Sequence, residues 1–257
     1  MKEFLIPGTK HILRYHDLPG RDMPILFLHG LGCAGTFDYP EVAAQDSLRD
    51  HRRILVDLLG AGYSDKPEDF SYTVRDHMEY LLQFINHLDL GLFILFGHSL
   101  GGAVALSLAE RCGDRLRQII LSEANLDQSR EGSTSRYIAD FAMQDFIHRG
   151  FGKLVKDSRE NGNGIWAASL SVWSPKAAYL ISKSAAEENP PWRNILYSLK
   201  CPKTFIFGEN SLPAPDRQIL AEHGVTIEIV GHAGHSMAWE NPKGLAEAVG
   251  RSIRSAR

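Results

Sequence analysis

A serine with a glycine two residues to either side, Gly97-His98-Ser99-Leu100-Gly101, stands between the apolar run Leu92-Phe93-Ile94-Leu95 and the stretch Ala103 to Glu110. The run reads as a buried strand and the stretch as a helix. A strand that gives way to a helix over one residue puts that residue on a sharp corner, and backbone strain of this kind costs about 1–3 kcal/mol. Gly97 and Gly101 carry no Cβ, so they leave room for the corner. The Ser99 hydroxyl then projects clear of both elements. The free N–H groups at the start of the helix face the same space. In this setting Gly-x-Ser-x-Gly is the pattern of a nucleophile elbow; without the flanking elements it would be an ordinary glycine-rich turn with an incidental serine.

The alternation continues along the chain. Met23 to Leu28, Arg53 to Leu58, Gln118 to Leu121, Lys203 to Phe207 and Thr226 to Val230 read as short apolar strands. Thr73 to Leu88, with Met78, Leu81, Leu82, Ile85 and Leu88 at helical spacing, reads as a helix, as do Asp216 to His223 and Pro242 to about Arg254. Short apolar strands separated by helices predict an α/β protein with a mostly parallel, doubly wound sheet covered on both faces. From Leu126 to Leu199 the rhythm stops. That stretch shows no strand, holds three of the four tryptophans, and begins and ends in loop-like sequence, the end near Asn189-Pro190-Pro191. It predicts a helical insertion, 126–200, acting as a lid on a core formed by 1–125 and 201–257. Ordinary core helices are the plainer alternative.

With 257 residues, 44% of them apolar, the chain can bury a full core. A formal net charge of -3 gives no electrostatic case for nucleic acid. No apolar run approaches the ~20 residues of a membrane helix. The apolar part of the N-terminus is too short for a signal peptide. Cys33, Cys112 and Cys201 are widely spaced, which fits reduced thiols and a cytoplasmic setting, and none has metal-ligand spacing.

Five features in order make the chain resemble the α/β-hydrolase superfamily: His29-Gly30 after a strand, Asp57-x-x-Gly60-x-Gly62-x-Ser64 after the next, the Ser99 pentapeptide, Phe207-Gly208, and Gly234-His235-x-x-x-x-Glu240-x-Pro242. The resemblance covers nearly all of the chain outside the lid. It implies an α/β-hydrolase fold with a helical cap inserted after the sixth strand. It also implies Ser99 as nucleophile and His235 as its base, in preference to His232, in a loop made mobile by Gly231 and Gly234. The backbone N–H groups of Leu31 and Leu100 would form the oxyanion hole. Asp57, Gly60, Gly62 and Ser64 would fix a turn, Glu240 and Pro242 would set up the last helix, and His98 would be a packed neighbour.

The chain departs from the family at the acid. The usual Asp after the seventh strand is replaced by Ser211 in Gly208-Glu209-Asn210-Ser211. A hydroxyl cannot balance an imidazolium. Some members of the superfamily carry the acid after strand six, and Glu123 stands there. The third catalytic member is therefore expected to be Glu123, hydrogen-bonded to His235 Nδ1, with Asp127 and then Glu209 as alternatives and a cap on the hinge as its plainer role.

These residues imply a hydrolase that needs no cofactor and acts on an ester or thioester through an acyl-enzyme. The small-molecule substrate is expected to be neutral, in a mainly apolar pocket lined by Trp166, Trp173 and Tyr137. A carbon–carbon bond hydrolase on the same residues, a slow or inactive ligand receptor, and a lyase- or perhydrolase-like activity are the alternatives.

Overall fold

The structure, a computed structural model, describes residues 1–188 and 191–256. Asn189 and Pro190, part of the loop expected at the end of the helical insertion, lie outside them.

Eight strands form one sheet: β1 (Lys2–Leu5), β2 (Ile12–Leu18), β3 (Asp22–Leu28), β4 (His51–Val56), β5 (Phe93–His98), β6 (Leu116–Ser122), β7 (Lys203–Gly208) and β8 (Thr226–Val230). Their order across the sheet is β1-β2-β4-β3-β5-β6-β7-β8. From β4 to β8 every neighbouring pair is parallel, while β1/β2 and β2/β4 are antiparallel. The expected strands are all present. The hairpin β1/β2 carries no clear strand signal, because Lys, Glu, Arg, His and Asp interrupt its few apolar residues. It is an edge, buried through Phe4, Leu13 and Tyr15.

The parallel strands read as continuous apolar runs because both of their faces are covered. Successive residues point to opposite faces. Ile25, Phe27, Phe96 and Ile206 pack with Leu245, Val249 and Ile253 of the C-terminal helix Pro242–Ser255. Leu26, Leu28, Leu95 and Phe205 belong to the opposite core, with residues of α1 (Val74–His87) and α2 (Leu100–Cys112). Helix α1 starts where the Thr73 side chain accepts the Asp76 N–H.

Between β6 and β7 the described chain is helical. It contains α3 (Thr134–Ala139), α4 (Phe151–Glu160), α5 (Gly164–Leu170), α6 (Pro175–Glu187) and α7 (Trp192–Ser198). Phe146 packs against Phe141, Phe151 and Tyr179, so most of the aromatic residues here serve the segment's own core. Trp192 is buried and donates its indole N–H to Ser107 Oγ of α2, fixing α7 to the sheet's helical layer.

In the register, Gly97 stands opposite Leu121 and His98 opposite Ser122, with Ser122 opposite Ile206 on the far side. The residues that follow β5, β6 and β7 therefore emerge side by side at one end of the sheet.

Candidate active site

Ser99 sits at φ 50° and ψ -124° between β5 and α2, a conformation that non-glycine residues rarely adopt. Three bonds hold the corner. Ser99 donates its N–H to the Ser122 carbonyl at 3.0 Å, and its own carbonyl accepts from Gly102 N at 2.9 Å and Asn125 N at 3.0 Å. A Cβ on Gly101 would lie 2.2 Å from the His29 carbonyl oxygen, and one on Gly97 would lie 2.7 Å from the Ala105 Cβ. Both glycines are thus required by close approach of the backbone.

His235 Nε2 lies 3.1 Å from Ser99 Oγ. Its loop, which contains Gly231 and Gly234, is hydrogen-bonded to its surroundings. Side chains and backbone grip it at successive residues: Asn241 Nδ2 on the Gly231 carbonyl, Glu209 on the His232 N–H, Asn210 N on the Ala233 carbonyl and Glu240 on the Gly234 N–H, each at 2.8–2.9 Å. Glu240 accordingly serves the histidine loop, and it is Asn241 that caps the last helix through Gly244 N. His232 is held by its backbone and makes no bond to Ser99.

Three carboxylates are candidates to face His235. Asp127 is committed to Arg193, which donates to both of its oxygens, and Glu209 is committed to His232 N. Ser211, in the usual acid position, lies in a short helical turn, Glu209–Ser211. Glu123 remains. It leaves β6 with φ 45°, and its N–H donates to Ile206 O at 3.1 Å. The expected hydrogen bond to His235 Nδ1 is not formed. Glu123 Oε1 instead accepts the Gly208 N–H at 2.9 Å, because the adjacent strand ends with an amide that needs a partner. Desolvation lowers the His235 pKa from its ordinary value, and the Glu123 charge, then the Glu240 charge, opposes that shift. His98 packs 4.9 Å from the His235 ring, bonds the Ser122 carbonyl through Nδ1, and is pushed down to about 3 by burial. It stays neutral beside the base.

The N–H groups of Leu31 and Leu100 have no acceptor among the described residues, and both residues line the hollow in front of Ser99. This hollow is about 340 Å³, bordered also by His235 and Trp166. Its lining is mixed: Leu31, Leu100 and Trp166 supply apolar surface, Asn125, Ser133, Thr134, Asn163 and Ser236 supply polar groups, and no Lys, Arg, Asp or Glu lines it. Of the three aromatic residues expected there, Trp166 is present. Trp173 is buried behind the Leu31 loop, its indole N–H bonded to the Cys33 carbonyl at 2.7 Å. Tyr137 is exposed and packs edge-on against Phe141. A larger hollow, about 630 Å³, lies at the other end of the strands, near Leu92, Leu116 and Cys201. It contains no nucleophile paired with a base.

Asp38 escapes a reading of the sequence. This buried carboxyl, in a helical turn Gly35–Asp38, accepts from Ala34 N and from Trp239 Nε1, both at 3.0 Å. Burial pushes its pKa up to about 7. Burial, and then Asp38 itself, pushes the Cys33 thiol up, which removes Cys33 as a nucleophile. A lone Asp in an apolar context gives no sequence signal. Asp57 does what its motif implied: it accepts from Thr36 N, Thr36 Oγ1 and Tyr63 N, closing the turn after β4.

A family model described as alpha/beta hydrolase fold matches residues 23–209. Over 102 residues the chain is 38% identical to the probable lysophospholipase BODYGUARD 3 of Arabidopsis thaliana, an alignment covering 38% of this chain and 20% of that protein. Over 120 residues it is 32% identical to 2-hydroxymuconate semialdehyde hydrolase of Pseudomonas putida, covering 47% and 42%. These curated relatives are matched over less than half of their own length. A thermophilic esterase from Thermogutta terrifontis superposes over 99% of this chain and 98% of its own, with a TM-score of 0.81 and 21% identity, a likeness of fold.

Proposed function

The chain belongs to the alpha/beta hydrolase fold family, and from that premise we propose that it is a serine ester hydrolase working through an acyl-enzyme on Ser99. One observation carries this reading: a serine on a strained corner with a histidine nitrogen 3.1 Å from its hydroxyl. A serine hydroxyl attacks only when a base takes its proton, and His235 is within reach to do so. As Oγ adds to the ester carbonyl, the oxygen becomes an oxyanion. The N–H groups of Leu31 and Leu100, unpartnered beside Ser99, are its donors. His235 then passes the proton to the leaving alcohol. Water attacks the acyl-enzyme with His235 again as base. Glu123 is the acid of the set, stabilising the imidazolium by its charge. The helical segment 126–200 acts as a cap over the hollow.

The lining supports a compact, neutral ester that carries hydroxyl, amide or carbonyl groups. Burying an unpaired charge is costly, and no cationic side chain waits for one. The same point disfavours carbon–carbon bond cleavage of an acidic substrate, and the Ser99–His235 bond disfavours a receptor without turnover. A fluorophosphonate should label Ser99, and Ser99→Ala should abolish both labelling and hydrolysis of a panel of aryl esters. Labelling that persists in Ser99→Ala, or a wild type that leaves every ester intact, overturns the reading.

A further inference from the structure

Three of the four indole N–H groups converge on one short stretch. Trp166 Nε1 donates to the Leu31 carbonyl at 2.9 Å, Trp173 Nε1 to the Cys33 carbonyl at 2.7 Å, and Trp239 Nε1 to the Asp38 carboxylate at 3.0 Å. The first two come from the helical segment between β6 and β7, and the third from the turn after His235. The stretch 31–38 includes Leu31, whose N–H is one of the two donors proposed for the oxyanion.

The geometry around Leu31 explains why such bonds matter. Gly30 to Cys33 form a reverse turn closed by Cys33 N donating to the Gly30 carbonyl at 3.2 Å, with Gly32 at φ +74°. A positive φ at the third residue is the mark of a type II turn. The Gly30 carbonyl also faces His29 Nδ1 at 2.9 Å. Gly30 C=O and Leu31 N–H belong to one planar peptide unit and point in opposite directions. Anchoring that carbonyl therefore aims the N–H. The next unit, Leu31 C=O to Gly32 N, is the central peptide of the turn. Reversing it converts a type II turn into type I and moves Leu31. Within the described residues, the one side chain that holds this carbonyl is Trp166. Its ring also lies over Gly32 so closely that a Cβ there would be 2.6 Å from it.

We propose that Trp166 is a positioning residue for the oxyanion hole, locking the Gly30–Cys33 turn through the Leu31 carbonyl, so that the seating of the helical segment on the core sets turnover. Trp173 supports the same turn one residue pair further on. Since Trp166 also borders the hollow, a substrate that presses on its ring acts on the same bond. The proposal rests on the serine hydrolase reading.

The test is Trp166→Phe, which keeps an aromatic ring over Gly32 and removes the N–H. The control is Trp192→Phe, which removes an indole bond of the same segment to Ser107 of α2, away from the turn. Trp166→Phe should lower kcat toward a short aryl ester about tenfold, less than the ~10²–10³-fold that loss of a direct oxyanion donor costs because the Leu31 N–H itself is kept, with KM changed less than about twofold. The rate of Ser99 labelling by a fluorophosphonate should fall by the same factor, since the phosphoryl oxygen occupies the oxyanion position. Trp192→Phe should leave both rates near wild type, even where its Tm drops. Gly32→Ala, which displaces the ring, should reproduce the kcat loss with Trp166 intact. The proposal is overturned if Trp166→Phe and Trp192→Phe lose equal kcat, or if Trp166→Phe changes KM alone. A wild type that neither labels nor turns over would fail at the level of the serine reading, and the proposal would fall with it.

Discussion

The Glu123 carboxylate accepts the Gly208 N–H at 2.9 Å, and so the acid at the end of β6 is braced by the end of β7. This bond holds Glu123 beside the histidine loop while its charge raises the His235 pKa against desolvation.

Glu123→Gln keeps the shape and the Gly208 bond but removes the charge. Loss of the acid of a triad costs about 10⁴-fold in kcat where the acid also bonds the histidine; Glu123→Gln, which removes the charge alone, should lower kcat by at least about tenfold and by no more than that limit. Ser211→Ala should change kcat less than about twofold, within the range of ordinary surface substitutions. Steady-state kinetics of the two variants with one aryl ester decide the matter. Equal damage from both would move the acid's role away from Glu123.

The pH profile follows from His235. The neutral imidazole is the base, so kcat/KM rises with pH through its pKa. Desolvation, the larger cause, puts that pKa below the ordinary 6.5. The acid limb should therefore have its midpoint below pH 6.5. In Glu123→Gln the opposing charge is gone, and the limb should move lower still, with the plateau reduced. Profiles of kcat/KM between pH 4.5 and 8 test both shifts; a midpoint above 6.5 in the wild type contradicts the direction.

Much of this site is legible in the sequence because its requirements are local. Ser99 needs small residues two positions away, and Gly97 and Gly101 show it. Parallel strands buried on both faces show as unbroken apolar runs. The edge hairpin Lys2–Leu5 and Ile12–Leu18 is not legible, because an edge strand buries few residues and its alternation is broken by charge. Nor is the polar part of the hollow's lining: Asn125, Thr134 and Asn163 are brought together only by the way the helical segment folds back. The aromatic residues of that segment mislead, since most of them build its own core. Asp38 and Trp239 are 201 residues apart and meet only in the folded chain.

Gly208 links the acid to the base loop by its lack of a side chain. A Cβ there would lie 2.3 Å from the Gly234 carbonyl oxygen and 2.6 Å from that of Ala233. These are backbone atoms that cannot swing aside, so Gly208→Ala must displace the histidine loop. A misplacement of ~1 Å can cost ~10²-fold in rate. Gly208→Ala should lose at least about tenfold in kcat and lower Tm. Gly231→Ala, whose Cβ would meet nothing closer than the end of the Glu209 side chain at 3.7 Å, should be much milder.

Asp38 makes stability depend on pH in an unusual sense for a carboxylate. Its pKa rises from 3.8 in the unfolded chain to about 7 in the fold, because burial disfavours the charged form. Below pH 3.8 both states bind the proton and the group contributes its full share of stability. As pH rises from there toward 7, the unfolded chain has released the proton while the folded chain still holds it, so stability falls. A tenfold difference in proton affinity between the two states corresponds to ~1.4 kcal/mol, so the loss through this group amounts to a few kcal/mol, complete by about pH 7 to 8. The side-chain amide of Asp38→Asn does not titrate, and the substitution should remove that fall. Urea unfolding of wild type and variant at pH 5, 6, 7 and 8 gives the comparison. The difference in stability, variant minus wild type, should grow in favour of the variant up to about pH 7 and then level off. A flat difference across that range would mean that Asp38 is ionised in the fold throughout, held so by Ala34 N and Trp239 Nε1.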